Sequence, residues 1–195
     1  MNIDIDGFQG GDRTHLYLPD IQLELLEELN QLDIPIVLVL SNGGALSFPK
    51  DMKNVKSVIE TWYPGQKGGT ALAKILKGDY NPSGKLPVTF YTSLKDFPDF
   101  ADYEMKTQTY RLYPDSVLFP FGFGLSYTSF EYSSLTFSKK MITSKDTLSI
   151  SFQLKNSGAA AGMETPQLYL LNLKSGEKVY LKTLRGFQKV FLNIG

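Results

Sequence analysis

Apolar and polar residues alternate with two different periods along this chain, and the change of period divides it. In PDIQLELLEELNQL, Ile21, Leu25, Leu26, Leu29 and Leu32 recur at helical spacing behind Pro19, which predicts a helix with one buried face. IPIVLVL at 34–40 is a continuous apolar run of strand length, expected to be buried on both faces. It ends in the glycine turn SNGGAL. NVKSVIETWY at 54–63 predicts a second strand, PGQKGG a loop, TALAKILKG a helix, and KLPVTFY at 85–91 a third strand. This alternation of strand, loop and helix argues for an α/β unit with a mainly parallel sheet. Ligands of such sheets bind beyond the carboxyl ends of the strands, here the SNGG and YPGQKGG loops.

After residue 130 the period shortens to two. SSLTFS, TLSISFQLKN, TPQLYLLNL and VYLKTLRGFQKVFL are separated by KDT, NSGAAAG and KSGEK. Short strands with turn signals and no intervening helix predict a β-sandwich. The boundary falls near Glu131, giving units 1–130 and 131–195. The second is shorter than the roughly 100 residues of an immunoglobulin-like sandwich, so the chain reads as cut at both ends. Between the units lies FPFGFGLSYTSFEY. Phe119, Phe121, Phe123 and Tyr127 are too dense for an exposed loop, and Gly122 and Gly124 permit backbone angles closed to other residues. The run is either a buried elbow or a joint between the two units, and its position at the boundary favours the joint.

Composition narrows the function classes. Twenty basic and twenty acidic residues give a formal net charge of zero, which argues against a nucleic-acid or anionic-membrane partner. The chain contains no cysteine, so disulfides and thiolate metal sites are excluded. No apolar run reaches the roughly 20 residues of a membrane span, and MNIDIDGFQGG lacks the features of a signal peptide. DIDGFQGGD lacks the ligand spacing and closing glutamate of a calcium loop, so no metal is expected. His15 is the only histidine and reads as a structural hydrogen-bonding residue. Trp62 and Tyr63 fit either core or a sugar-stacking platform. YPGQKGG fits either a tight crossover or an anion cradle. Arg13 and Arg111 fit either an interface salt bridge or a substrate contact. The residues alone assemble no catalytic machinery.

Five runs in order, GGDRTHLYLPDIQLELLEEL, IPIVLVLSNGGAL, WYPGQKGGTALAKILKGDYNPSGKLPVTFY, DFPDFADYEMKTQTYR and LFPFGFGLSYTSFEY, resemble the C-terminal portion of glycoside hydrolase family 3. LKNSGAAAGMETPQLYL and LKTLRGFQKVFL resemble its trailing fibronectin type III-like domain, here incomplete. The resemblance covers essentially the whole chain. It implies a parent with an N-terminal (β/α)8 barrel, an α/β sandwich domain and the fibronectin-like module, acting as a retaining exo-glycosidase on non-reducing-end β-linked sugars. DFPDFADYEM with TYR and the aromatic run looks most like the β-xylosidase branch rather than the β-glucosidase branch. It departs from that branch at Gln108 and Leu112, where an arginine and a further aromatic are usual.

Retaining hydrolysis takes two carboxyl groups roughly 5–5.5 Å apart. In the family the nucleophile is a barrel aspartate and the acid/base a glutamate in a loop preceding MNIDIDGFQGGDR. Neither maps onto this chain, so no catalytic residue is assigned and the chain alone is expected to be inactive. The resemblance places Asp12 and Arg13 just after the acid/base loop, and Asp102, Tyr103, Tyr110 and Arg111 in a linker along the domain interface, all as pocket wall. No cofactor is implied. The expected partners are a β-linked oligosaccharide or aryl glycoside and the missing barrel, with the parent secreted or periplasmic. The alternative is a non-catalytic carbohydrate-binding or scaffold module.

Overall fold

The computed structural model describes residues 8–9, 12–13, 15–49, 52–93, 109–112, 117–172 and 181–195, and they form a mixture of helix and sheet. Strand β1 (Phe8–Gln9) pairs antiparallel with β2 (Asp12–Arg13). Helix α1 (Asp20–Gln31) starts behind Pro19, whose carbonyl accepts the N–H groups of Gln22 and Leu23, and Asp20 places a negative charge in the first turn, where the helix dipole favours it. Its C-terminus lacks a glycine cap. The Asn54 amide serves instead, donating to Asn30 O at 2.9 Å and Leu32 O at 2.7 Å, which satisfies carbonyls that a helix end leaves open.

The α1 face differs from the expected one. Leu26 is buried, and Leu18 and Leu23 pack with it, while Ile21 is 73 % exposed and Leu25 60 %. A leucine-rich helix offers two overlapping apolar stripes, and tertiary packing chooses between them. Strands β3 (Ile36–Leu40) and β4 (Val55–Glu60) pair in parallel, with Leu38 opposite Val58 and Leu40 opposite Glu60. Leu38 and Leu40 face the core, whereas Val37 and Val39 are exposed, so β3 is packed on one face rather than two.

This is the only parallel pair of strands among the described residues, beside an isolated parallel bridge between Tyr17 and Ser47. The strand expected over 85–91 does not form as a ladder beside it. Pro87 removes a donor from that run, and the segment bonds to the aromatic run instead. Phe90 and Phe119 exchange N–H···O bonds at 2.9 and 3.1 Å; Leu86 N–H donates to Phe123 O, and Gly122 N–H to Leu86 O, each at 2.8 Å. Helix α2 (Gly68–Lys77) follows the glycine loop and closes at Gly78, whose φ of +80° returns its N–H to Ile75 O. A short helix α3 spans Thr109–Leu112.

The remaining elements are strands: β5 (Phe130–Phe137), β6 (Ile150–Asn156), β7 (Gly162–Glu164), β8 (Gln167–Leu171), β9 (Lys182–Phe187) and β10 (Val190–Leu192). They pair antiparallel as β5–β6, β7–β10 and β8–β9, with β5 irregular around Ser134, where φ is +53°. The buried apolar core lies wholly within residues 18–118 and centres on Leu40, Phe48, Phe90 and Leu118. In the strand-rich half Tyr132, Leu135, Phe137, Phe152 and Leu170 stand exposed, and Asn156 is fully buried.

Candidate functional site

The segment after residue 117 is built around rings. Phe119 meets Phe90 edge-on at 6.2 Å, lies 6.3 Å from Phe48 and packs against the core of the first half, while Phe123, itself 36 % exposed, stacks on it at 5.4 Å. Phe121 points elsewhere and stacks on Tyr110 at 4.0 Å and 12°. Tyr110 in turn meets Tyr169 of β8 edge-on at 6.3 Å. Between Phe121 and Phe123, Gly122 has φ of +81°, and a Cβ there would lie 2.2 Å from Gln167 Oε1; Gln167 Nε2 donates to the Gly122 carbonyl at 3.0 Å. Tyr127 is half exposed, and its hydroxyl donates to Ile75 O at 2.8 Å.

Polar side chains hold the same seam. Asn81 Nδ2 donates to Ala161 O, and its Oδ1 accepts from Ser126 Oγ and Tyr127 N–H, both at 2.8 Å. Lys85 donates to Gly124 O at 2.8 Å and pairs with Glu164 of β7 at 3.3 Å. The Tyr132 hydroxyl donates to Glu164 at 3.1 Å; burial and the Glu164 carboxylate together push that phenol up to about 12. Asn156 accepts from Thr128 Oγ1 and Gly158 N–H and donates to Ala160 O and Leu192 O. The sequence reading missed Asn81, Lys85, Asn156 and Gln167. Asn81 and Asn156 sit in NPSG and KNSG, where the same residue types signal turns, so only their long-range partners distinguish them.

Tyr110 and Arg111 line a cavity of about 600 Å³ with Leu16, Ala45, Pro87, Thr89, Tyr91 and Phe121. Thr109 enters α3 with φ of +65°, a strained angle for a β-branched residue. The Leu184 N–H donates to the Tyr110 hydroxyl at 3.2 Å, and Arg111 Nε at 3.4 Å; the Arg111 carbonyl accepts from Leu181 N–H at 2.7 Å. Burial raises the Tyr110 phenol, but the Arg111 and Leu184 bonds and the Arg111 and Lys182 charges outweigh it and hold it below its ordinary value. Thr89 adds a buried hydroxyl without a hydrogen-bond partner. The Arg111 guanidinium lies over the Tyr110 ring, 5.7 Å from its centroid, and Phe121 stacks on the same ring, so the Tyr110 ring makes its contacts within the protein.

A second cavity of about 660 Å³ runs along β4 toward α2 and the aromatic run, lined by Trp62, Ile75, Tyr80, Lys85, Phe90 and Phe123 among others. Trp62 packs edge-on against Phe90 at 6.2 Å, while Tyr63 is 79 % exposed. His15 accepts Tyr17 N–H through Nδ1 at 3.2 Å. Glu60 is the only carboxyl among the described residues lining either cavity. No group of three or more metal-ligating side chains occurs among the described residues.

Of the residues expected at a pocket wall, Tyr110 and Arg111 share the first cavity. Asp12 and Arg13 form β2, opposite Gln9 and Phe8, with their side chains outside the described residues. Asp102 and Tyr103 also lie outside them.

Known proteins match the chain along its length. It is 42 % identical over all of its residues to a xylan 1,4-beta-xylosidase of Xylanibacter ruminicola, of which it covers 22 %. It is 40 % identical to the thermostable beta-glucosidase B of Acetivibrio thermocellus, with 96 % of the chain and 26 % of the relative aligned. The crystal structure of a GH3 beta-glucosidase from Bifidobacterium adolescentis superposes with a TM-score of 0.84 at 33 % identity, over 96 % of this chain and 29 % of that one. The chain thus spans roughly a quarter of the length of the relatives it matches. Residues 3–127 match the family model of the glycosyl hydrolase family 3 C-terminal domain, and the chain belongs to that family.

Proposed function

We propose that this chain is part of a retaining exo-β-glycosidase that releases β-linked sugars from non-reducing ends, with β-xylosides preferred over β-glucosides. The observation that carries the reading is the alignment of every residue with a protein named a xylan 1,4-beta-xylosidase. In this reading residues 1–130 belong to the α/β sandwich domain of the parent and 131–195 to a fibronectin type III-like domain. Both catalytic carboxylates lie elsewhere in the parent, the nucleophile on its barrel and the acid/base on a loop near Asp12 and Arg13.

Tyr110 and Arg111, with Asp12, Arg13, Asp102 and Tyr103, form the wall that receives the sugar. Phe121 and Tyr127, supported by Phe119 and Phe123, join the two units. The substrate is a β-linked oligosaccharide or aryl glycoside, and its polysaccharide origin places the parent outside the cytoplasm. Hydrolysis of aryl β-xyloside and β-glucoside by the longest polypeptide containing this sequence, and by the 195 residues alone, tests the reading. The longer protein is expected to cleave the xyloside faster, and the 195-residue chain neither substrate. Turnover by the short chain, abolished by replacing one of its own Asp or Glu residues, overturns the assignment of the carboxylates. A parent that binds xylo-oligosaccharide without cleaving any glycoside identifies a binding module instead.

A further inference from the structure

The loops that leave the parallel pair hold a ring that the fold leaves in water. Tyr63, three residues past β4, is 79 % exposed, more than any other aromatic side chain among the described residues. It lines neither cavity, and no hydrogen bond to its hydroxyl occurs among the described residues. Tyr127 and Tyr132 are half exposed as well, but their hydroxyls donate to Ile75 O and Glu164. Exposure of a single ring says little by itself. The support beneath this one says more. Gly43, in the facing SNGG loop, lies under the Cε2–Cζ end of the ring, where a Cβ would come within 2.6 Å of Cε2 and 3.1 Å of the hydroxyl oxygen. Gly43 has no left-handed φ, so the glycine answers this close approach rather than a turn.

Both flanks of Tyr63 are fixed. Before it, Trp62 keeps φ at +54°, an angle a tryptophan holds only where its surroundings impose it, and packs edge-on against Phe90. The Trp62 N–H donates to Glu60 Oε1 at 2.7 Å, and its carbonyl accepts from Ser41 Oγ at 3.0 Å. Thr61 donates to Leu40 O through both its N–H and its hydroxyl, which ties the two loops together. After it, Pro64 sits so close to Gly68 that a Cβ on that glycine would come within 2.3 Å of the proline Cβ. The ring is therefore oriented before any ligand arrives, and less ordering is left for binding to offset.

We infer that Tyr63 is a stacking platform for a pyranose unit of a β-linked saccharide, held on the Gly43 shelf at the carboxyl ends of the parallel pair. Ligands of parallel sheets bind at those ends. Residues 41–44 and 61–66 carry no charged side chain, which suits a neutral ligand. A phenol offers an apolar ring and a polar tip, matching a sugar ring with an apolar face and a rim of hydroxyls. The ligand class rests on the glycosidase reading proposed above.

Calorimetric titration with a thio-linked xylohexaose, which resists hydrolysis, tests the platform on the longest polypeptide containing this sequence. Y63A is expected to weaken binding about two- to tenfold, and Y63W to retain it. Equal affinity of wild type and Y63A overturns the inference. Nitration of Tyr63 by tetranitromethane provides a second reading on the unmutated protein. Ready modification, slowed by the saccharide, supports the platform. A Tyr63 that resists the reagent without saccharide is covered by protein, which also overturns it. Hydrolysis of aryl β-xyloside by the wild type is scored separately. Turnover together with an affinity unchanged in Y63A leaves the glycosidase reading standing and removes the platform. Saccharide binding that Y63A weakens, without turnover of any glycoside, keeps the platform and removes the glycosidase reading.

Discussion

Single residues carry unequal weight in the seam between the first half and the strands. Asn156 is 1 % exposed and makes four hydrogen bonds, two accepted and two donated. Asn156→Ala leaves buried partners unpaired and is expected to destabilise by about 1–3 kcal/mol in urea unfolding. Tyr127 contrasts with it, since a half-exposed ring with one hydroxyl bond has little burial to lose. Tyr127→Phe is expected to cost about 0.5–1.5 kcal/mol. Gly122→Ala combines a φ of +81° with a Cβ 2.2 Å from Gln167 Oε1, so it is expected to destabilise by about 1–3 kcal/mol. A midpoint unchanged by Gly122→Ala would show that the Gln167 contact gives way freely. The residue scale is where sequence reading is weakest: Asn81 and Asn156 look like ordinary turn asparagines until their distant partners are known.

Elements were more legible. The period in 19–32, the apolar run at 34–40 and the alternation after residue 130 each correspond to a helix or strand. What periodicity could not rank was which face would be covered. Leu23, Leu25, Leu26 and Leu29 give α1 two candidate stripes, and the neighbour that packs first settles the matter. The 85–91 run reads as a strand from its Val, Phe and Tyr residues, yet Pro87 breaks the ladder and the segment pairs with Phe119–Phe123. The aromatic run therefore serves two structures. Phe119 packs against the core with Phe123 stacked on it, while Phe121 reaches Tyr110 and, through it, β8. Phe121→Ala is expected to lower stability by about 2–4 kcal/mol and to release Tyr110, seen as a changed Tyr110 ring signal in NMR. Phe121→Leu keeps bulk without stacking, so it separates ring contact from simple filling.

At the scale of the molecule, burial is lopsided. The apolar core lies within residues 18–118, whereas β5 and β6 present Tyr132, Leu135, Phe137 and Phe152 to solvent. Exposed apolar strands with free edges favour association. The isolated 195-residue chain is expected to self-associate with rising concentration, and polar replacement of Leu135 and Phe137 is expected to reduce this. Sedimentation velocity over a wide range of concentration reads the outcome; a monomer throughout would show that these faces are covered in solution in some other way. Elsewhere on the surface, Ile21, Leu25, Val37 and Val39 are exposed as well. The chain spans about a quarter of its relatives, which are long enough to supply a covering layer.

Local pattern along the chain was enough to locate most of the elements, the change of period near residue 130 and the family resemblance. Apolar spacing, turn residues and ordered motifs can all be read without knowing what lies across the fold. Packing alone selected the buried face of α1, paired 85–91 with the aromatic run, and set asparagines and a lysine–glutamate pair along the seam. Such outcomes depend on the desolvation and partnering of groups far apart in the chain, and those contacts leave no periodic trace in the sequence.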